Sequence, residues 1–393
     1  MRYRKDPRSG NELSVLGFGC MRLPRSAGHI DLDKSEALLR RAVEAGVNYF
    51  DTAYVYSGSE EALGTVLART GLRDKIYLAT KLPHQRCQRP EDFERIFTEE
   101  LARLQTDHID YYLIHNLPEP ALWERVCDLG IKDWIAQKKA TGQIRQVGFS
   151  FHGSLGNFEA LLEAWDWDFC QIQYNYSDAN YQAGASGLRK AHAKGLPVII
   201  MEPLLGGKLA TNLPKRARAL QTATRPDWSA ARWGFSWLWN QPEPTVVLSG
   251  MNASEQLEDN LATAQEAAPG MLGERETRAL EEVRSVFREA YRVPCTGCNY
   301  CMPCPHGVNI PGCFAAYNSY YANGMVAGFT QYITSTGANH PGKSSGARSC
   351  EQCGACEKKC PQHIAIPAQL ARVRKRLEPF WFGALLKAVN RFS

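Results

Sequence analysis

Two cysteine runs near the C-terminal end limit what this chain can become more than any other feature. The first is Cys295-Thr-Gly-Cys298-Asn-Tyr-Cys301-Met-Pro-Cys304-Pro305, and the second is Cys350-Glu-Gln-Cys353-Gly-Ala-Cys356-Glu-Lys-Lys-Cys360-Pro361. Both leave by a similar exit, Cys304-Pro-His-Gly-Val-Asn-Ile-Pro311 and Cys360-Pro-Gln-His-Ile-Ala-Ile-Pro367. Such an exit predicts a turn feeding a helix that starts at proline. Structural zinc takes paired C-x2-C halves split by a longer spacer. Three cysteines at x2 spacing, closed by Cys-Pro, follow a different pattern. C-x2-C-x2-C-x3-C-P is the spacing with which thiolates hold iron–sulfur clusters. The second run fits it residue for residue, and the first is one residue short in its last gap.

In two-cluster ferredoxins the fourth cysteine of each run ligates the other cluster. On that pattern one 4Fe–4S cluster sits on Cys295, Cys298, Cys301 and Cys360, and another on Cys350, Cys353, Cys356 and Cys304. Cys313, nine residues past Cys304, is the alternative ligand in the shortened run, or a buried thiol. The chain has thirteen cysteines, and those outside the runs (Cys20, Cys87, Cys127, Cys170 and Cys313) read as small buried hydrophobes.

Upstream, short apolar runs alternate with amphipathic helical stretches. The strand candidates are Val15–Cys20, Val47–Asp51, Ile76–Lys81, Ile109–His115, Ile144–Ser150, Phe169–Tyr174, Val198–Met201 and Thr245–Gly250. Eight strands separated by helices predict an α/β fold, a (β/α)8 TIM barrel. The competing open doubly wound sheet would carry G-x-G-x-x-G after its first strand, and none is there. Helix signals agree: Asp33-Lys-Ser-Glu36 reads as a capping box, Leu38, Leu39, Ala42 and Val43 as an apolar face, and Gly46 as a terminator. The expected organisation is a barrel over residues 1–270, a linking helix over 271–292, and a mainly helical cluster domain over 293–393. Residues 337–349 read as a surface loop. The segment from Pro379 to Phe392 reads as an amphipathic tail that packs on protein or, less readily, touches a membrane.

Barrel enzymes carry their chemistry at the C-terminal ends of the strands. Asp51, Lys81 and His115 stand there, with Tyr56 in the loop after Asp51. A tyrosine ionises near pH ~10 and needs a nearby cation to exchange protons near neutrality. Lys81 can supply that field, Asp51 can hold the lysine charged, and His115 can orient a carbonyl oxygen. The plainer reading is a barrel-top salt bridge beside a satisfied core histidine.

Phe50-Asp51-Thr52-Ala53-Tyr54-Val55-Tyr56, Ala79-Thr80-Lys81 and Tyr111-Tyr-Leu-Ile-His115 resemble the catalytic tetrad segments of the aldo-keto reductase family. The resemblance runs from about Met1 to about Ala264, including Leu16-Gly-Phe-Gly19, Ser249-Gly-Met-Asn252 and Gln256-Leu-Glu-Asp-Asn260. It implies that Tyr56 is the general acid and base, that Lys81 lowers its pKa, that Asp51 supports Lys81, and that His115 positions the substrate. It also implies a nicotinamide cofactor, NAD(P), held without a Rossmann motif. Ser150 and Gln173 match positions for the carboxamide, Met201 matches the ring-stacking position, and Leu204, Gly206 and Lys208 lie in the segment matching the pyrophosphate loop. Gly250 and Gln256 fall where a 2′-phosphate clamp is usual, with Asn260 beyond, so NAD and NADP both stay open.

Nothing in the composition contradicts an ordinary globular protein. The net charge is +5 over 393 residues, too little to point to nucleic acid. The N-terminus lacks the pattern of a secretory signal, and cysteine-rich runs without one suit a reducing, cytoplasmic setting. The expectation is an oxidoreductase that moves hydride between a nicotinamide and a small carbonyl or alcohol substrate. Its clusters would relay electrons to or from a ferredoxin-type partner. The alternatives are a plain reductase with structural clusters, and an electron-transfer or scaffold protein with a degenerate nicotinamide site.

Overall fold

A computed structural model describes residues 1–337, 345–380 and 382. Eight parallel strands form where the apolar runs lie: β1 Leu16–Gly19, β2 Tyr49–Asp51, β3 Tyr77–Leu82, β4 Ile109–Ile114, β5 Ile144–Phe151, β6 Phe169–Gln173, β7 Val198–Met201 and β8 Pro244–Ser249. They close into a barrel, β8 returning to β1 through Val247 opposite Leu16 and Ser249 opposite Phe18. Around it run α1 Leu32–Glu44, α2 Ser59–Thr70, α3 Glu91–Leu104, α4 Pro120–Asp128, α5 Ile131–Ala140, α6 Leu155–Ala164 and α7 Gly184–Ala193. After β7 come α8 Lys215–Thr224 and α9 Ala230–Trp239, and after β8 comes α10 Ser254–Gln265.

Strand side chains alternate between faces, and this parity sets the barrel's contents. One core cluster gathers Tyr49, Ala79, Tyr111, Leu113, Phe169, Ile199 and Val246. Residues two further along the same strands share that parity: Asp51, Lys81, His115, Gln171 and Met201. The polar members of that set, Asp51, Lys81, His115 and Gln171, therefore rest on an apolar floor, against which Met201 packs. Gly17 makes room within it, because a Cβ there would meet Val246 Cγ1 at 2.7 Å and Leu248 Cδ2 at 2.8 Å.

Two local features depart from the sequence reading. The cap of α1 is Asp31, whose carboxylate accepts from the Lys34 amide at 3.1 Å. Its extended backbone reaches the open N–H groups two residues before the expected capping box. Ahead of β1, strands Tyr3–Lys5 and Glu12–Ser14 make an antiparallel hairpin that sequence reasoning left out. Arg4 donates to the carbonyls of Trp239 at 3.0 Å and Pro242 at 3.2 Å, and the Tyr111 hydroxyl donates to Asp6 at 2.8 Å. Gly46, with φ +91°, ends α1 as expected.

The chain divides into two compact units, Met1–Pro203 with Ala231–Gly273, and Leu204–Ala230 with Glu274 onward. In the second, α8 packs on α11 Glu274–Ala290, followed by α12 Ile310–Asn323, α13 Met325–Thr336 and α14 Ile366–Leu377. Both α12 and α14 carry proline in their first turn, as their shared exits predict. Phe314, Tyr332, Leu370, Val373 and Leu377 are among the buried core of this unit. Phe382 joins it, 6.0 Å from the Phe329 ring and 5.9 Å from Tyr332, whereas Phe380 is 98% exposed. The rest of the expected tail (Trp381 and residues 383–393) and most of the expected loop (residues 338–344) lie outside the described residues. Among the described residues no helix is long and apolar enough to cross a membrane.

Candidate active site and cluster ligands

Lys81, at the C-terminal end of β3, is 1% exposed. Its ammonium donates to Asp51 Oδ1 at 2.6 Å and to the Thr52 carbonyl at 2.6 Å. Asp51 at the end of β2 accepts on its other oxygen from Gln171 Nε2 at 2.9 Å. A buried charge pair holds only when its remaining polar atoms are satisfied, and Gln171 does this for Asp51. Sequence reasoning named Gln173 and passed over Gln171. The usable signal is a second amide at the same inward parity, on a strand otherwise apolar.

Tyr56 is fixed by the turn that starts α2. Its amide bonds to the Ala53 carbonyl at 2.9 Å, and its own carbonyl accepts from the Ser59 amide at 2.9 Å. Gly58 at φ +75° makes that turn possible without side-chain strain. Lys81 Nζ lies 5.1 Å from the Tyr56 ring centroid, and the His115 ring meets it edge-on at 6.0 Å. Burial holds the His115 imidazole well below its usual pKa, and the positive charge of Lys81 pushes the same way. His115 is therefore neutral at physiological pH. Tyr54, two residues before Tyr56, anchors the loop. Its ring lies 4.2 Å from the Arg103 guanidinium and 5.2 Å from Arg86, and its hydroxyl donates to Glu99 at 2.5 Å.

The residues matched to a nicotinamide site fall in both units. Ser150 on β5 is buried, and its hydroxyl accepts from the Asn116 amide at 2.8 Å. The side-chain oxygen of Asn116 is itself buried without a hydrogen-bond partner. Gln173 Oε1 accepts from Asn175 at 3.3 Å. His152, at the end of β5, is buried with Nδ1 3.2 Å from Gln182 Oε1. Met201 ends β7, half-buried. Asn260 donates to the Ser249 hydroxyl at 3.0 Å, and Gln256 accepts from the Asn252 amide at 3.0 Å. The Arg22 side chain lies along Gly250, its Cβ 3.5 Å from where a Gly250 Cβ would stand. Sequence reasoning found no cation here, because Arg22 is far from Gly250 in the chain. Leu204, Gly206 and Lys208 belong to the second unit, where Lys208 Nζ lies 5.6 Å from the Tyr291 ring centroid.

In the second unit the two cysteine runs share a backbone shape. The residues flanking the second cysteine are left-handed in both, Gly297 and Asn299 in one, Gln352 and Gly354 in the other. Three residues past the last cysteine, Gly307 and His363 are left-handed too. Burial pushes the Cys301 thiol up to about 12, and Cys295, Cys298 and Cys360 push it further by their charge. Burial also raises Cys356, with Cys304, Cys350 and Cys353 acting on it in the same direction. The last cysteine of each run is thus an electrostatic neighbour of the other run's third. Cys313 is buried on α12 with its thiol 4.0 Å from the Ser345 carbonyl. Of the scattered cysteines Cys20, Cys87 and Cys170 are also buried, and Cys127 is half-buried. Among the described residues no three His, Cys, Asp or Glu side chains are close enough to hold one metal ion.

A polar constellation at the C-terminal ends of parallel barrel strands, joined in one chain to two cysteine runs, defines an oxidoreductase class that comparison identifies. The model of the aldo/keto reductase family matches residues 15–269, and that of a 4Fe-4S dicluster domain matches residues 294–366. The chain belongs to the aldo/keto reductase family and carries a C-terminal dicluster domain, with two 4Fe–4S clusters as cofactors. It is similar to the 6-dehydroglucose reductase of Novosphingobium aromaticivorans, 29% identical over 279 residues, 65% of this chain and 88% of that protein. The L-glyceraldehyde 3-phosphate reductase of Escherichia coli is 24% identical over 308 residues, 66% of this chain and 87% of that one. Among solved structures, an aldo-keto reductase from Klebsiella pneumoniae in complex with NADPH superimposes with a TM-score of 0.60 at 23% identity, over 72% of this chain and 95% of that one.

Proposed function

We propose that the barrel reduces a small carbonyl compound to the alcohol, and runs the reverse reaction, with Tyr56 moving the proton. The observation that carries this is the line Gln171–Asp51–Lys81–Tyr56, in which a buried ammonium with both hydrogen bonds at 2.6 Å faces a tyrosine ring. A bound reduced nicotinamide supplies the hydride. The Tyr56 hydroxyl gives its proton to the carbonyl oxygen as that oxygen gains negative charge. The Lys81 ammonium supplies the positive field that lets a phenol give and take a proton near neutral pH. Asp51 and Gln171 keep Lys81 in place. Neutral His115 orients the carbonyl oxygen without adding a competing charge.

The residues present fit a nicotinamide. Ser150, Gln173 and the partnerless oxygen of Asn116 are the groups we assign to its carboxamide, since a buried acceptor without a donor costs about 1–3 kcal/mol until one arrives. Arg22, lying along Gly250, is the cation we assign to a 2′-phosphate, which favours NADP. Met201, half-buried at the end of β7, is the residue we assign to the ring.

The clusters are assigned crosswise: Cys295, Cys298, Cys301 and Cys360 for one, Cys350, Cys353, Cys356 and Cys304 for the other. The electrostatic neighbours of Cys301 and Cys356 support this set. Cys353 is exposed, which gives the second cluster an edge at the surface. That exposure favours clusters that exchange single electrons with a partner over purely structural ones.

Tyr56→Phe tests the barrel reading. Turnover of a small aldehyde should fall by about 10²–10⁴-fold while the melting temperature stays within experimental error. Near-normal turnover in that variant contradicts the mechanism.

A further inference from the structure

The second unit contains a cavity of about 280 Å³ whose walls include Cys350, Gln352, Arg374, Lys375 and Glu378. Cys350 is one of the thiols assigned to the second cluster, so the cavity opens beside it. Helix α14 supplies the cations. Leu370, Val373 and Leu377 turn inward, and Arg372, Arg374, Lys375 and Arg376 face outward. Arg376 is engaged with the Tyr320 and Tyr321 rings at 5.2 and 5.7 Å. Glu378 lies 3.6 Å from Arg348. Arg374 and Lys375 make no ion pair with any described residue.

The charge is concentrated here. Residues 345–380 hold seven Lys and Arg against three Glu, so this stretch accounts for +4 of the chain's +5. Arg374 and Lys375 outnumber Glu378 in the wall of a cavity shared with a cluster thiol, and an excess of cations there favours added carboxylates. The exposed Cys353 belongs to the same cluster, and electron tunnelling falls steeply with distance. Electrons would therefore enter or leave at this edge. Exposed Lys358 and Lys359, which follow the exposed Glu357, leave a net positive charge beyond the cavity as well.

We propose that the face formed by Arg374, Lys375 and the cavity beside Cys350 is the docking surface for an acidic one-electron carrier protein, whose carboxylates pair with the two cations. This rests on reading the clusters as single-electron relays. In the transfer one electron leaves the carrier's reduced iron and arrives on the cluster, with no bond made or broken and no proton moved.

The test uses the full-length protein, purified anaerobically with its clusters, and an acidic 4Fe–4S ferredoxin as probe. Binding is measured by calorimetry with the oxidised ferredoxin, and cluster reduction by stopped-flow absorbance with the reduced one. Arg374→Glu with Lys375→Glu should weaken binding by about tenfold or more, with iron and sulfide content unchanged. Arg374→Gln with Lys375→Gln should lie between. Lys75→Glu with Lys132→Glu, an equal charge change on the barrel surface, should shift binding less than twofold. The wild-type affinity should fall as salt rises. Equal weakening by both pairs, no binding by the wild type, or citrate filling the cavity without any ferredoxin affinity would each overturn the docking surface. Binding that depends on Arg374 and Lys375 but passes no electron would leave the surface standing and refute the relay.

Discussion

Replacing Lys81 by Met removes one charge and keeps the side-chain volume, so its consequences can be worked from the geometry. Lys81 Nζ stands 5.1 Å from the centre of the Tyr56 ring. Two unit charges about 5 Å apart, at an effective dielectric of about 20, attract by about 3 kcal/mol. That corresponds to about two pKa units. In alcohol oxidation Tyr56 must be a phenolate to accept the proton, so the rate rises with pH through the tyrosine's ionisation. Lys81→Met should move that rising limb up by about two pH units and slow oxidation at pH 7 by about a hundredfold. The same change leaves Asp51 buried with only Gln171 as partner, a loss of about 3–5 kcal/mol of folding stability. Asp51→Asn combined with Lys81→Met removes the stranded carboxylate, so the double variant should regain much of that stability and keep the shifted limb. The assay is initial rate against pH for one alcohol, with thermal unfolding in parallel. A rising limb at the same pH in the wild type and both variants would refute the proposed role of Lys81.

Burial, aided by the charge of Arg125 and opposed by a hydrogen bond to the Asn116 carbonyl, lowers His84 to about 4. The unfolded chain binds that proton near pH 6.5 and the folded one resists it, so stability falls as pH drops from 6.5 towards 4, by about 3 kcal/mol. Denaturant unfolding of His84→Asn across that window should show the loss shrink by about that amount, and an unchanged slope would contradict it. Crossed ligation makes Cys295 and Cys360 share a cluster. Cys295→Ser with Cys360→Ser should therefore retain about four of about eight irons, whereas Cys295→Ser with Cys304→Ser should lose nearly all. The opposite pattern in an iron assay would assign each run to its own cluster. Arg22→Ala should raise KM for NADPH by about tenfold or more and leave KM for NADH nearly unchanged; a parallel change in both would remove Arg22 from the phosphate site.

The barrel was legible because its signal repeats. Eight apolar runs alternate with helical stretches, and strand parity in the folded barrel then sets the positions of Asp51, Lys81 and His115. Gln171 obeys the same parity, but an amide on an apolar strand gives no chemical signal until its partner is placed at 2.9 Å. The N-terminal hairpin was not legible, since three-residue strands carry too little alternation to register. The cap of α1 shifted to Asp31 because two acidic residues stand near that helix start, and only backbone conformation chooses between them. Arg22 beside Gly250 is a contact between opposite ends of the barrel sequence, which no local pattern encodes. In the cluster domain spacing alone gave the ligand types. The left-handed residues around Cys298 and Cys353 are split between glycine and side-chain-bearing residues, so composition did not disclose their matching turns.

The central claim is that hydride passes directly from a nicotinamide to a carbonyl carbon at the Tyr56 site. The measurement that tests it most directly uses the anaerobic holoprotein, a small aldehyde and a reduced nicotinamide deuterated at the transferring position, with the product analysed by mass spectrometry and proton NMR. The account predicts one deuterium on the carbinol carbon for each nicotinamide oxidised, at a rate that collapses in Tyr56→Phe. Solvent hydrogen at that carbon, or an undiminished rate in the variant, would contradict it.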